Sequence, residues 1–78
     1  MKPRPVTGEF DRQLGQLLRA CRMARELTLA AVAARIRGLT PQTLRNYEVG
    51  RRALPVEYFG QLAALYDVAP DDLIPGGP

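Results

Sequence analysis

The chain has no histidine, and Cys21 is its only cysteine. Zinc sites are built from thiolates and imidazoles, and most acid–base catalysis at neutral pH uses an imidazole, so neither has ligands to build from. A lone cysteine also excludes an internal disulfide, and its place on an apolar helical stripe reads as a buried thiol. The opening MKPRPVTGEF lacks the apolar segment of a signal peptide, and no run approaches membrane-spanning length. Together these absences predict a soluble cytoplasmic protein with no metal, no cofactor and no membrane partner.

Positive charge is also missing from one part of the chain. No lysine or arginine follows Arg52, and segment 53–78 carries Glu57, Asp67, Asp71 and Asp72. Segment 12–52, by contrast, holds nine arginines against Glu26 and Glu48. The modest net charge of +3 therefore hides a polarised molecule, one part of which attracts polyanions while the other repels them.

With 78 residues and a hydrophobic content of 46%, the chain has room for one domain and one small core. Residues 1–7, rich in proline and charge, read as a flexible arm, and Pro75-Gly76-Gly77-Pro78 as a disordered tail. Residues 8–74 between them form the expected domain. Five helical patterns occur there and no convincing strand, which predicts an all-α fold.

The first pattern runs from Gly8 or Glu9 to Arg25, with Phe10, Leu14, Leu17, Leu18 and Cys21 on one face. Thr28 is a good N-cap for a second helix over Leu29–Ile36, which Gly38 follows. Thr40 caps a third, with Pro41 at its first position and Gly50 suited to its left-handed end. A fourth covers Val56–Tyr66, turning Val56, Phe59, Leu62, Ala63 and Tyr66 inward. A fifth covers Pro70–Ile74 and adds Leu73 and Ile74 to the core.

Two short helices joined by a tight glycine-containing turn form the unit that presents a helix to a DNA major groove. In the second of them, Leu44 and Tyr47 face the domain, leaving Gln42, Arg45, Asn46 and Val49 on other faces. Arg45 has the donors for guanine O6 and N7, and Gln42 or Asn46 the pair that adenine N6 and N7 require. Arg51 and Arg52 follow immediately, where phosphate contacts are expected. Each element also has a plainer reading: a solvated polar face, and a basic loop that serves solubility.

The spacing as a whole resembles the lambda-repressor-like, Cro/C1-type helix-turn-helix domains, also called the xenobiotic-response-element family. The resemblance rests on Arg22, Leu27, Thr28, Val32-Ala33, Gly38 and Thr40, and on Glu48-Val49-Gly50 running to Pro55. It covers about residues 12–74, and the exit YEVGRRALPVEYFGQLAALYDVAPDDLIP is most similar to the DNA-binding half of BldD-type regulators. It implies a five-helix, non-enzymatic transcriptional regulator that occupies an operator on double-stranded DNA. A homodimer through the C-terminal helices, on a palindromic site, is implied as well. The implied DNA-contacting set is Thr28, Thr40, Pro41, Gln42, Thr43, Arg45, Asn46, Arg51 and Arg52. Glu48 is implied to pair with Arg22 as a structural tie.

Three departures from the family pattern stand out. Leu29 takes the place of a frequent phosphate-binding glutamine, and Pro41 that of another polar contact. Ala33 and Gly38 lie one residue further apart than usual, which lengthens the turn. Two competing readings remain. TPQTLRNYE also resembles the MerR-type pattern, although no wing is evident. A protein-binding module, such as an antitoxin or adaptor, would keep the fold and use the acidic C-terminal third with Tyr58 and Tyr66. An enzyme is not expected, because Asp67, Asp71 and Asp72 fall at a helix end and a cap, where acids serve the helix dipole.

Overall fold

The computed structural model describes residues 8–76 and builds them from four α-helices and a 3-10 turn, with no strand among them. Helix α1 spans Glu9–Ala24, α2 Leu29–Ala33, α3 Pro41–Glu48 and α4 Val56–Leu65. The expected arm over 1–7 and the last two residues of the expected tail lie outside the described residues. Pro75 and Gly76 form a turn.

The fifth helix requires correction. Pro70–Leu73 is a 3-10 helix, closed by bonds from the Asp72 N–H to the Ala69 carbonyl (2.9 Å) and from the Ile74 N–H to the Asp71 carbonyl (3.2 Å). Pro70 has no N–H to give and Ile74 is already extended, so the segment is too short for an α-helical ladder. Helix α2 also ends before Ile36. The Arg35 and Ile36 N–H groups bond three residues back, to Val32 and Ala33, and this tighter winding carries the chain into the turn at Gly38.

Helices α1, α3 and α4 finish alike. In each, the N–H two residues past the C-cap reaches back five positions: Leu27 to Arg22, Arg51 to Asn46 and Val68 to Ala63. The intervening residue is left-handed, with φ of 54° at Glu26, 79° at Gly50 and 56° at Asp67. This is the Schellman closure, which satisfies carbonyls that a helix end leaves open.

Leu14, Leu18, Val32, Leu44, Leu62, Tyr66 and Leu73 form the centre of the core, joined by Leu39 and Leu54 from the loops. Three apolar residues expected inside are not. Phe10 is 39% exposed, Val56 82% and Ile74 42%. Phe10 and Val56 lie in the first turns of α1 and α4, where a helix overhangs the core, and Ile74 follows the 3-10 turn. Cys21 is half-buried at the core's edge. Burial, and then the negative charge of Asp72, push its thiol upward, which favours the protonated form.

Candidate nucleic-acid interface

Helix α3 packs chiefly on α1 and α2, and its seating on α1 is unusually close. Gly15 faces the carbonyl oxygens of Tyr47 and Glu48, and a Cβ at Gly15 would overlap both. One turn earlier on α1, the backbone of Arg12 lies against Gly50, where a Cβ would sit 2.8 Å from the Arg12 Cα. The two glycines thus let the C-terminal end of α3 rest directly on α1.

An ion pair locks this arrangement. The Arg22 Nε donates to Glu48 Oε2 at 2.8 Å, and a terminal guanidinium nitrogen donates to Oε1 at 3.1 Å. The other terminal nitrogen donates to the Leu27 carbonyl at 2.8 Å, so the same side chain also fixes the loop ahead of α2. Both side chains are largely withdrawn from water, at 13% and 4% exposure. The hydrogen bond it donates to Glu48 raises the Arg22 guanidinium above its ordinary range, so it stays charged.

Both short helices are capped by threonines. Thr28 Oγ1 accepts from the Ala31 N–H at 3.0 Å, and Thr40 Oγ1 accepts from the Thr43 N–H at 3.1 Å. The Thr40 hydroxyl donates in turn to Thr43 Oγ1 at 2.9 Å, which turns Thr43 toward the cap. Pro41 follows at the first helical position and is exposed. Leu29 is half-buried and packs against the edge of the core.

With Leu44, Tyr47 and Glu48 buried beneath, α3 turns a polar face outward. Gln42 and Arg45 are exposed on it, and Asn46 is half-buried. The Gln42 Nε2 donates to Asn46 Oδ1 at 3.3 Å, joining the two amides one turn apart. Arg51 and Arg52 project from the exposed loop after Gly50. Their N–H groups both bond to the Asn46 carbonyl, at 2.9 and 3.3 Å, so this basic pair is anchored to the helix it follows.

The acidic third does not offer the aromatic surface that the protein-binding alternative requires, and Tyr66 lies inward as the period of α4 predicts. Tyr66 is 1% exposed and belongs to the core. Tyr58 is half-buried and tilts against Tyr47, with ring centroids 6.3 Å apart. Tyr58 therefore packs against the buried side of α3, and Tyr66 lies within the core. Sequence reasoning did not identify Gly15 as part of the site's support, nor the burial of Asp11 at 2% exposure. A glycine inside a helix was the available signal, because it costs about 1 kcal/mol against alanine unless close packing requires it.

A capped two-helix unit with an outward polar face and a basic exit defines a helix-turn-helix protein. Residues 13–75 match the family model for the helix-turn-helix domain, and the chain belongs to that family. Two solved structures are similar to it. The crystal structure of the DNA-binding domain of BldD is 34% identical, with a TM-score of 0.78 over 88% of this chain and 99% of that chain. The BldD DNA-binding domain of S. venezulae is 35% identical, with a TM-score of 0.77 over 87% of this chain and all of that chain. No curated protein sequence matches.

Proposed function

We propose that the protein is a sequence-specific transcriptional regulator that binds double-stranded DNA and acts by occupying an operator. The observation that carries this reading is the outer face of α3: Gln42, Arg45 and Asn46 are displayed on a helix whose other face is locked to the domain. Its likeness to the BldD DNA-binding domains supports the same reading. Arg45 donates to a guanine edge in the major groove, where bidentate recognition distinguishes base pairs. Arg51 and Arg52 take phosphates, and the N-terminal ends of α2 and α3, with Thr28, Thr40, Pro41 and Thr43, lie along the backbone. No bond is made or broken.

A homodimer on a palindromic site is part of this proposal, since a two-fold symmetric protein would match a two-fold symmetric operator. Val56 and Ile74, apolar and exposed on the C-terminal elements, support a subunit contact there. The MerR-like alternative lacks a wing strand among the described residues, and the protein-binding alternative loses Tyr66 to the core.

The test is enrichment of duplexes from a random pool, followed by affinity measured against salt. Enrichment of one two-fold motif, with affinity falling steeply as salt rises, is the expected result. Failure to enrich any motif, or binding indifferent to salt, contradicts the proposal.

A further inference from the structure

The sequence leaves open whether Gln42 or Asn46 addresses adenine, and the arrangement on α3 separates the two. Gln42 lies in the first turn, is exposed, and belongs to the part of a recognition helix that approaches base edges. Asn46 lies one turn deeper and is half-buried, and its own main-chain carbonyl already accepts two N–H groups. The side-chain bond runs in one direction, from Gln42 Nε2 to Asn46 Oδ1.

That direction matters chemically. The bond uses one N–H of the Gln42 amide and leaves its Oε1 and its second N–H available. These are the acceptor and donor that adenine N6 and N7 require in the major groove. Anchoring Nε2 also distinguishes the two ends of an amide that otherwise rotates freely, so the acceptor and donor are presented in a fixed order. Such i,i+4 amide pairs lie on one helix face by geometry.

We infer that Gln42 reads an adenine edge and that Asn46 is a positioning residue that orients the Gln42 amide without touching a base. This rests on the DNA-binding function proposed above. The specificity of α3 is then divided between Arg45 for a G·C pair and the Gln42–Asn46 unit for an A·T pair.

The test uses the duplex enriched by the unaltered protein, and copies of it in which each A·T pair is changed in turn to G·C. Affinities at fixed salt are compared for the protein, Gln42→Ala, Asn46→Ala, Asn46→Asp and the Gln42→Ala/Asn46→Ala double variant. Gln42→Ala is expected to erase a preference of about 5- to 150-fold at one A·T pair. Asn46→Ala should reduce the preference at that same pair by about two- to tenfold, and should have no effect on it once Gln42 is alanine. Asn46→Asp keeps the acceptor oxygen, so it should retain the preference while weakening binding to every duplex through its charge. Loss of preference at a different pair in Asn46→Ala would overturn the inference, as would failure of Asn46→Asp to retain it. A pool in which the unaltered protein enriches nothing would instead overturn the DNA-binding function, and this inference with it.

Discussion

Gly15 of α1 and Glu48 of α3 meet backbone to backbone, with no space for a Cβ between them. This contact sets how closely the outward-facing helix sits on its scaffold. Gly15→Ala must push the two helices apart, because the neighbour is a main-chain carbonyl that has no rotamer to adopt. Overpacking of this kind costs about 1–3 kcal/mol. Urea denaturation should show the loss, and affinity for the enriched duplex should fall as α3 shifts.

The Arg22–Glu48 pair gives a second prediction. Its side chains are largely buried, so removing one partner strands a charge in a poor dielectric. Arg22→Met is expected to cost about 3–5 kcal/mol. The Arg22→Met/Glu48→Leu double variant should recover much of that, because an apolar pair has no charge to desolvate. A double variant no more stable than Arg22→Met would show that the contact with the Leu27 carbonyl, rather than the ion pair, dominates.

Glu26 closes α1 in a left-handed conformation that favours glycine. L-residues other than asparagine and aspartate pay about 1–2 kcal/mol there, partly offset by glycine's greater freedom when unfolded. Glu26→Gly should therefore raise stability by about 0.5–1 kcal/mol, seen as a higher denaturation midpoint. Asp67→Gly should gain less, because it also gives up the exposed contact with Arg25, a type worth about 0–1 kcal/mol.

Alkaline stability should depend on Tyr66. Burial, followed by the negative charge of Glu48, raises its hydroxyl well above the ordinary value of 10.0. The folded state then holds this proton more tightly than the unfolded state, so its contribution is complete below pH 10 and is lost as pH rises further. Cys21 and Tyr47 are raised in the same direction by burial, so the decline should begin near the thiol's ordinary value of 9.0 and steepen above it. The Tyr66 hydroxyl meets no hydrogen-bond partner among the described residues. Tyr66→Phe should accordingly leave neutral-pH stability within about 1 kcal/mol and flatten the alkaline limb. Denaturation midpoints between pH 7 and 11 check both points.

Much of this architecture is legible in the sequence because the governing interactions are local. Thr28 and Thr40 announce helix starts through bonds that span three residues, and Gly50 announces a helix end through its left-handed backbone. The stripe Leu14–Leu18 and the pair Leu44–Tyr47 follow from helical period alone. What was not legible depends on partners distant in sequence. Phe10 and Val56 keep the period of their helices, but the core does not extend to those first turns. Leu39 and Leu54 carry no periodic signal, yet the loops lay them into the core. Gly15 reads as a weak point of α1 until α3 is placed against it. The segment Pro70–Leu73 has a helix's composition but lacks the length to complete an α-helical turn. The outer face of α3 was visible as a polar set, whereas the bond that orders Gln42 against Asn46 required the structure.

The most direct test of the central claim is a chemical-shift titration of the isotope-labelled protein with its enriched duplex. If α3 reads DNA, the amides that move should cluster at Thr28–Ala31, Thr40–Asn46 and Arg51-Arg52, with Glu57 and Asp67–Asp72 unmoved. Shifts centred on the acidic segment, with α3 unmoved, would contradict the account.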